Sequence, residues 1–157
     1  MKKRILTGAT MVMLVAAVAL MAALVSAHAQ SSQVVADIPF DFTVGGKSLK
    51  AGEYALRPFS SNNDVLVITG QDTKDVAIRI TQSIEARRTP EKAMLVFHRY
   101  GQRYFLSEVW TNGDRTGRQL RKSAEERAIE GQLAAIPAKS ELARSSYERV
   151  EIVAMVR

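Results

Sequence analysis

The sequence predicts an all-β fold, a mainly antiparallel β-sandwich or small barrel of about seven strands with one late amphipathic helix. Three observations predict it. Apolar and polar residues alternate with period two in run after run between Ile38 and Val156. Turn signals recur at short spacing, at Gly45-Gly46, at residues 60–64 and 70–75, at Gly101-Gln102 and at residues 111–114. Strands do not alternate with helices, so parallel crossover units are not expected.

The chain of 157 residues opens with Lys2-Lys3-Arg4, an apolar run from Ile5 to Val25, and Ser26-Ala27-His28-Ala29. A basic start, an apolar run and an Ala-x-Ala site are the parts of a secretory signal peptide. Cleavage is expected after Ala29, leaving residues 30–157 as one β domain. The apolar run is long enough to span a bilayer if retained, so membrane attachment is expected only if the leader stays uncleaved. Small residues at the cleavage positions favour removal, which places the protein in the periplasm or outside the cell. The leader carries three basic and no acidic residues, so its removal lowers the net charge from +6 to +3. That modest charge argues for solubility and against nucleic acid as a partner. The chain has no Cys, which excludes disulfides, thiolate nucleophiles and Cys-ligated metal.

Residues 34–44 read as the first strand. Ile38, Phe40, Phe42 and Val44 share one face, and Pro39, unable to donate to a ladder, sets the strand at an edge or a bulge. Gly45-Gly46 is a hairpin turn. A strand over 49–58 follows, bent near Ala51-Gly52. Residues 65–68 are apolar on both faces and read as an interior strand. In residues 76–84, Val76, Ile78, Ile80 and Ile84 alternate with Ala77, Arg79, Thr81 and Ser83, so the aliphatic side is expected to face the core.

The centre is the run from Ala93 to Trp110, two strands joined at Gly101-Gln102. With that turn, residues whose numbers sum to 203 face each other. One face then carries Leu95, Phe97, Tyr104, Leu106 and Trp110, and the other Met94, Val96, His98, Phe105 and Val109. Both faces are apolar, so both need covering and the hairpin should be central. Residues 115–122 read as a basic, polar connection. Ser123 and Glu126 form a capping box that starts a helix over about 123–136, with Ile129, Leu133 and Ile136 as its apolar stripe. That helix should cover one hairpin face. A last strand over about 147–156 should return to pair near the start.

Ile38-Pro39-Phe40-Asp41-Phe42, then Val44-Gly45-Gly46-Lys47, then Leu49-x-Ala51-Gly52-x-Tyr54, resembles the opening of small exported proteins of unassigned function in soil-dwelling bacteria. The similarity continues through Trp110 and Thr116-Gly117-Arg118. The resemblance implies export and a β fold, and brings no activity or catalytic residue with it.

Candidate chemistry is sparse. His98, the only His left after processing, faces Phe105, and no nucleophile elbow accompanies it. One His without Cys does not make a zinc site. Asp37 and Asp41, four residues apart on a strand, stand about 13 Å apart, too far to cooperate as glycosidase carboxylates. The Asn62-Asn63-Asp64 loop and the loop over 71–75 lack EF-hand spacing. Arg115, Arg118, Arg121 and Lys122 form a basic cluster that would suit an anionic envelope component. Without interleaved aromatics it lacks the stacking platform of a single-strand nucleic-acid site. No catalytic, cofactor-binding or metal-binding residue is assigned. The expected function is that of an exported, non-enzymatic β module with a binding or structural role in the envelope. The alternatives are a hydrolase with a loop-built site and a carrier of a small apolar ligand.

Overall fold

The computed structural model describes residues 33–59, 64–135 and 147–157. Ten strands are described: β1 (Val34–Ile38), β2 (Phe42–Val44), β3 (Lys47–Leu49), β4 (Gly52–Pro58), β5 (Val65–Gly70), β6 (Val76–Glu85), β7 (Ala93–Tyr100), β8 (Arg103–Trp110), β9 (Thr116–Leu120) and β10 (Glu148–Val156). The helix α1 spans Ala124–Ala134. Eight strands close into a barrel in the order β1-β4-β5-β6-β9-β8-β7-β10, and β10 returns to β1. The β2–β3 hairpin attaches to β8 through a short parallel pairing, Phe42 opposite Tyr104. The all-β fold with one late helix is therefore present, with barrel closure in place of two stacked sheets.

The predicted first strand is two. Pro39 interrupts the ladder, and the Asp41 carboxylate accepts from the Ala51 N–H at 3.0 Å and from Lys50 Nζ at 2.8 Å. That link lets the chain leave β1 and pair elsewhere. The segment read as a basic connection is also a strand: β9 joins β6 and β8 and closes the barrel. Its polar sequence hid it, because much of it faces the rim and not the core.

The interior is one apolar cluster. Val34, Ala36 and Ile38 meet Tyr54, Leu56, Leu66, Ile68, Leu95, Phe97 and Leu106, all buried. The β2–β3 hairpin adds Phe42, Val44 and Leu49, with Phe42 edge-on to Tyr54 at 5.0 Å and to Phe97 at 5.5 Å. Side chains thus fill the lumen, as expected of a barrel of this strand number.

The central hairpin is where expected, between β10 and the β2 and β9 neighbours of β8. Gly101 turns it with φ of +62°. The register matches the sequence expectation from Tyr100–Arg103 to Phe97–Leu106, then shifts at a bulge so that Val96 faces Glu108 and Ser107 is unpaired. The extra residue swaps two side chains between faces. Val109 joins the interior cluster, and Trp110 moves to the outer wall, where its ring lies against Gly117.

One strand face is the reverse of the expectation. Ala77 and Thr81 of β6 are buried, while Val76, Ile78 and Ile80 face solvent. Pairing with β5 decides this. Leu66 and Ile68 point inward and stand opposite Arg79 and Ala77, which must share their side. Arg79 has work there: its guanidinium donates to Val44 O at 2.8 Å and to Gly45 O at 3.2 Å, fixing the β2–β3 turn. Gly45 takes φ of +53°, and Arg79 fills the space a Cβ would need.

Candidate anion-binding site

Three polar groupings stand out on the barrel. The first is buried under α1. Ser123 caps the helix, accepting from the Glu126 N–H at 3.0 Å as the capping box predicts. The reciprocal half of the box gives way to a tertiary bond. The Glu126 carboxylate reaches His98 Nδ1 at 2.9 Å, and the Tyr100 hydroxyl lies 3.5 Å from the same oxygen. Tyr147 stacks on the His98 ring at 3.9 Å. His98 and Glu126 are each about 5% exposed, so a substrate cannot reach the imidazole. Burial, and then the adjacent Glu126 carboxylate, raises the Tyr100 phenol above its ordinary pKa. This grouping fastens the helix to the wall. The stripe expected to do so contributes less: Ile129 and Leu133 are half-buried, and Ile136 lies outside the described residues.

The second grouping is a cleft of about 340 Å³ between the β2–β3 turn and the β7–β8 turn, lined by Asp41, Ser48, Gln102, Arg103, Tyr104 and Glu125 among others. Its two carboxylates are neutralised locally. Glu125 pairs with Arg103, and Asp41 with Lys50. The Lys50 ammonium and the Ala51 N–H hold the Asp41 carboxyl below its ordinary pKa, the wrong direction for a general acid. Asp37 sits on β1, so the two aspartates do not share a strand.

The third grouping involves the basic cluster, which the structure divides. Arg115 lies just before β9, with Nη2 3.4 Å from Ala86 O. Arg118 is in mid-strand, where burial lowers its pKa and Asp114 opposes that. Arg121 and Lys122 follow the other end of β9, roughly 20 Å from Arg115 at ordinary strand rise. They line a second cleft of about 360 Å³ with Gly45, Ile78, Arg79, Ile80 and Leu120. Lys122 Nζ bonds both oxygens of Glu130, at 2.7 and 2.8 Å, and lies 5.5 Å over the Tyr147 ring. Arg121 is exposed and forms no ion pair among the described residues. Two of the four predicted basic residues therefore share a cleft, and Arg79 joins them unforeseen.

Sequence reasoning missed the partner of His98. The available signal was a carboxylate at Glu126, three residues before Ile129 and seven before Leu133, on the side of the helix that should have been apolar. Among the described residues no three His, Cys, Asp or Glu side chains gather as a metal site. The Asn62-Asn63 positions lie outside the described residues, and Asp75 of the other loop pairs with Lys47 at 3.4 Å.

No protein family matches the chain, and neither the curated proteins nor the solved structures yield a match.

Proposed function

We propose that this chain is an exported, non-enzymatic β-barrel module of the cell envelope, and that it binds an anionic envelope component at the Arg121–Lys122 cleft. One observation carries the reading: Arg121 stands exposed and without an ion pair among the described residues, in an open cleft shared with Lys122 and Arg79. With Lys122 balanced by Glu130, Arg121 beside Arg79 leaves the cleft net positive, and two cations close together attract a multivalent anion more strongly than separate surface charges do. The filled interior supports a binding role for the outer surface rather than carriage of an apolar ligand inside. The lowered pKa of Asp41 and the inaccessible His98 argue against acid–base catalysis. The leader-like start of the sequence supports a place outside the cytoplasm, where anionic polymers and headgroups would be the module's neighbours.

The test is titration of the purified protein with a soluble polyanion, polyphosphate, at two salt concentrations. Binding should weaken with salt and fall roughly tenfold in Arg121→Glu, about 1.4 kcal/mol. Equal binding by wild type and variant would remove the cleft from the reading. N-terminal sequencing of exported material should begin at Gln30; a chain beginning at Met1 would mean that the leader is kept.

A further inference from the structure

The inverted strand leads further. Along the first half of β6 the outward residues are Val76, Ile78 and Ile80, at 46%, 53% and 67% exposure, followed by exposed Gln82, and the inward ones are Ala77, Arg79 and Thr81. Apolar-out and polar-in is the alternation of a strand beside lipid, opposite to that of a strand beside water. The neighbouring strands extend it. Val65 stands opposite Ile80, and the Phe59 N–H bonds to Val65 O at 2.8 Å, so Phe59, 66% exposed, begins the same row. Val76 to Ile80 spans about 13 Å along the strand, and three strands span about 10 Å across it. Isolated exposed aliphatics are ordinary, but four large ones on adjacent rows are not.

Cations border this ridge on both sides. Arg57 stands opposite Val67, which is 5% exposed and lies between it and Ile78, and makes no ion pair among the described residues. Arg121 and Lys122 share a cleft with Ile78 and Ile80. The acidic neighbours are Asp64, next to Val65 at one end, and Asp75, next to Val76 at the other and paired with Lys47 at 3.4 Å; Glu130 is already bound to Lys122. An apolar ridge flanked by Arg57 and Arg121, neither ion-paired among the described residues, is complementary to an anionic bilayer, whose headgroups meet the cations while the ridge enters the boundary with the acyl chains. A second copy fits less well, because a two-fold contact through this face would bring Arg57 and Arg121 against their own copies.

We infer that the β5–β6 wall is a membrane-contact surface that docks the barrel on an anionic lipid bilayer, with Phe59, Ile78 and Ile80 entering the interface. The inference rests on the anion-binding reading of the Arg121–Lys122 cleft and names its partner. It needs no retained leader, and so differs from the route to the membrane that the sequence alone suggested.

Co-sedimentation with phosphatidylglycerol vesicles, and with phosphatidylcholine vesicles of equal size, tests it on the full exported protein. Wild type should pellet with the anionic vesicles and stay in solution with the zwitterionic ones. Phe59→Asp/Val76→Asp, on the ridge but outside the cleft, should lose vesicle binding at least tenfold while keeping its affinity for polyphosphate, which reads the cleft alone. Arg121→Glu should lose both. Val153→Asp, the same change at a site 65% exposed on β10, should bind as wild type. A Phe59→Trp variant should show a blue-shifted emission with anionic vesicles only. Polyphosphate binding without vesicle binding would overturn the membrane inference and spare the cleft, whereas loss of both ligands in wild type would overturn both. Vesicle binding unchanged in the double variant, or a dimer that dissociates on Ile80→Asp without any vesicle binding, would also overturn it. Because these positions face solvent, unchanged thermal unfolding of the double variant is the check that it folds.

Discussion

Two walls of one barrel have similar outer chemistry and opposite fates. The outer face of β7–β8 carries Val96, Phe105 and Trp110 with His98 and Tyr100, all 6% exposed or less. The outer face of β6 carries Val76, Ile78 and Ile80, each at least 46% exposed, beside Val67 of β5, which is 5% exposed. On the first wall a helix is docked, and what docks it is a polar tie, Glu126 to His98 at 2.9 Å, under the Tyr147 ring. On the second wall no buried polar pair interrupts the outward run of Val76, Ile78 and Ile80, which exposed Gln82 ends. A buried hydrogen-bonded pair specifies where an element must sit, because any other placement leaves buried polar groups unsatisfied. An aliphatic row specifies only that something apolar should cover it. The covered wall therefore belongs to folding, and the open wall is available to a partner.

The comparison breaks most visibly if the tie is cut. Glu126→Ala leaves His98 and Tyr100 buried without their acceptor and should cost about 3 kcal/mol, measured by urea unfolding. Glu126→Gln, which keeps an acceptor oxygen, should cost less. On the same wall, Gly117→Ala sets a Cβ into the Trp110 ring and should cost about 2 kcal/mol, because packing at the β8–β9 seam has to shift.

The tie also has a pH signature. The folded state holds the Tyr100 proton more tightly than the unfolded chain does, owing to burial and Glu126. Its contribution is full below the ordinary phenol pKa of about 10 and is lost as pH rises above that value. Unfolding free energy should therefore decline above about pH 10 in wild type, and decline less in Tyr100→Phe. The smallest effect belongs to the open wall. Ile80→Ser should change stability by no more than about 0.5 kcal/mol, as expected of an exposed position. A cost above about 2 kcal/mol would mean that Ile80 is part of the fold, and the contrast between the walls would fail.

Some of this was legible in the residues. The Gly45-Gly46 and Gly101-Gln102 turns, the central hairpin, the Ser123 cap and the return of the last strand to the first are all local signals or follow from two-sided apolar runs. The misreadings have physical causes. Strand β9 is short and polar because it lies at the seam, so alternation could not reveal it. A bulge is a one-residue event with no compositional mark, yet it moved Trp110 and Val109 to opposite faces. In the candidate site, Arg121 and Lys122 share a cleft, while Arg115 and Arg118 stand apart from them along β9.

By itself the sequence determined that the chain is built of antiparallel strands, where most of them turn, and where the helix begins, since these depend on residues a few positions apart. Only the tertiary structure decided which side of β6 faces inward, which carboxylate meets His98, and which cations share a cleft. Those outcomes depend on pairing between strands distant in the chain. A period-two pattern states that a strand has two faces, and its neighbour's register states which of them is buried.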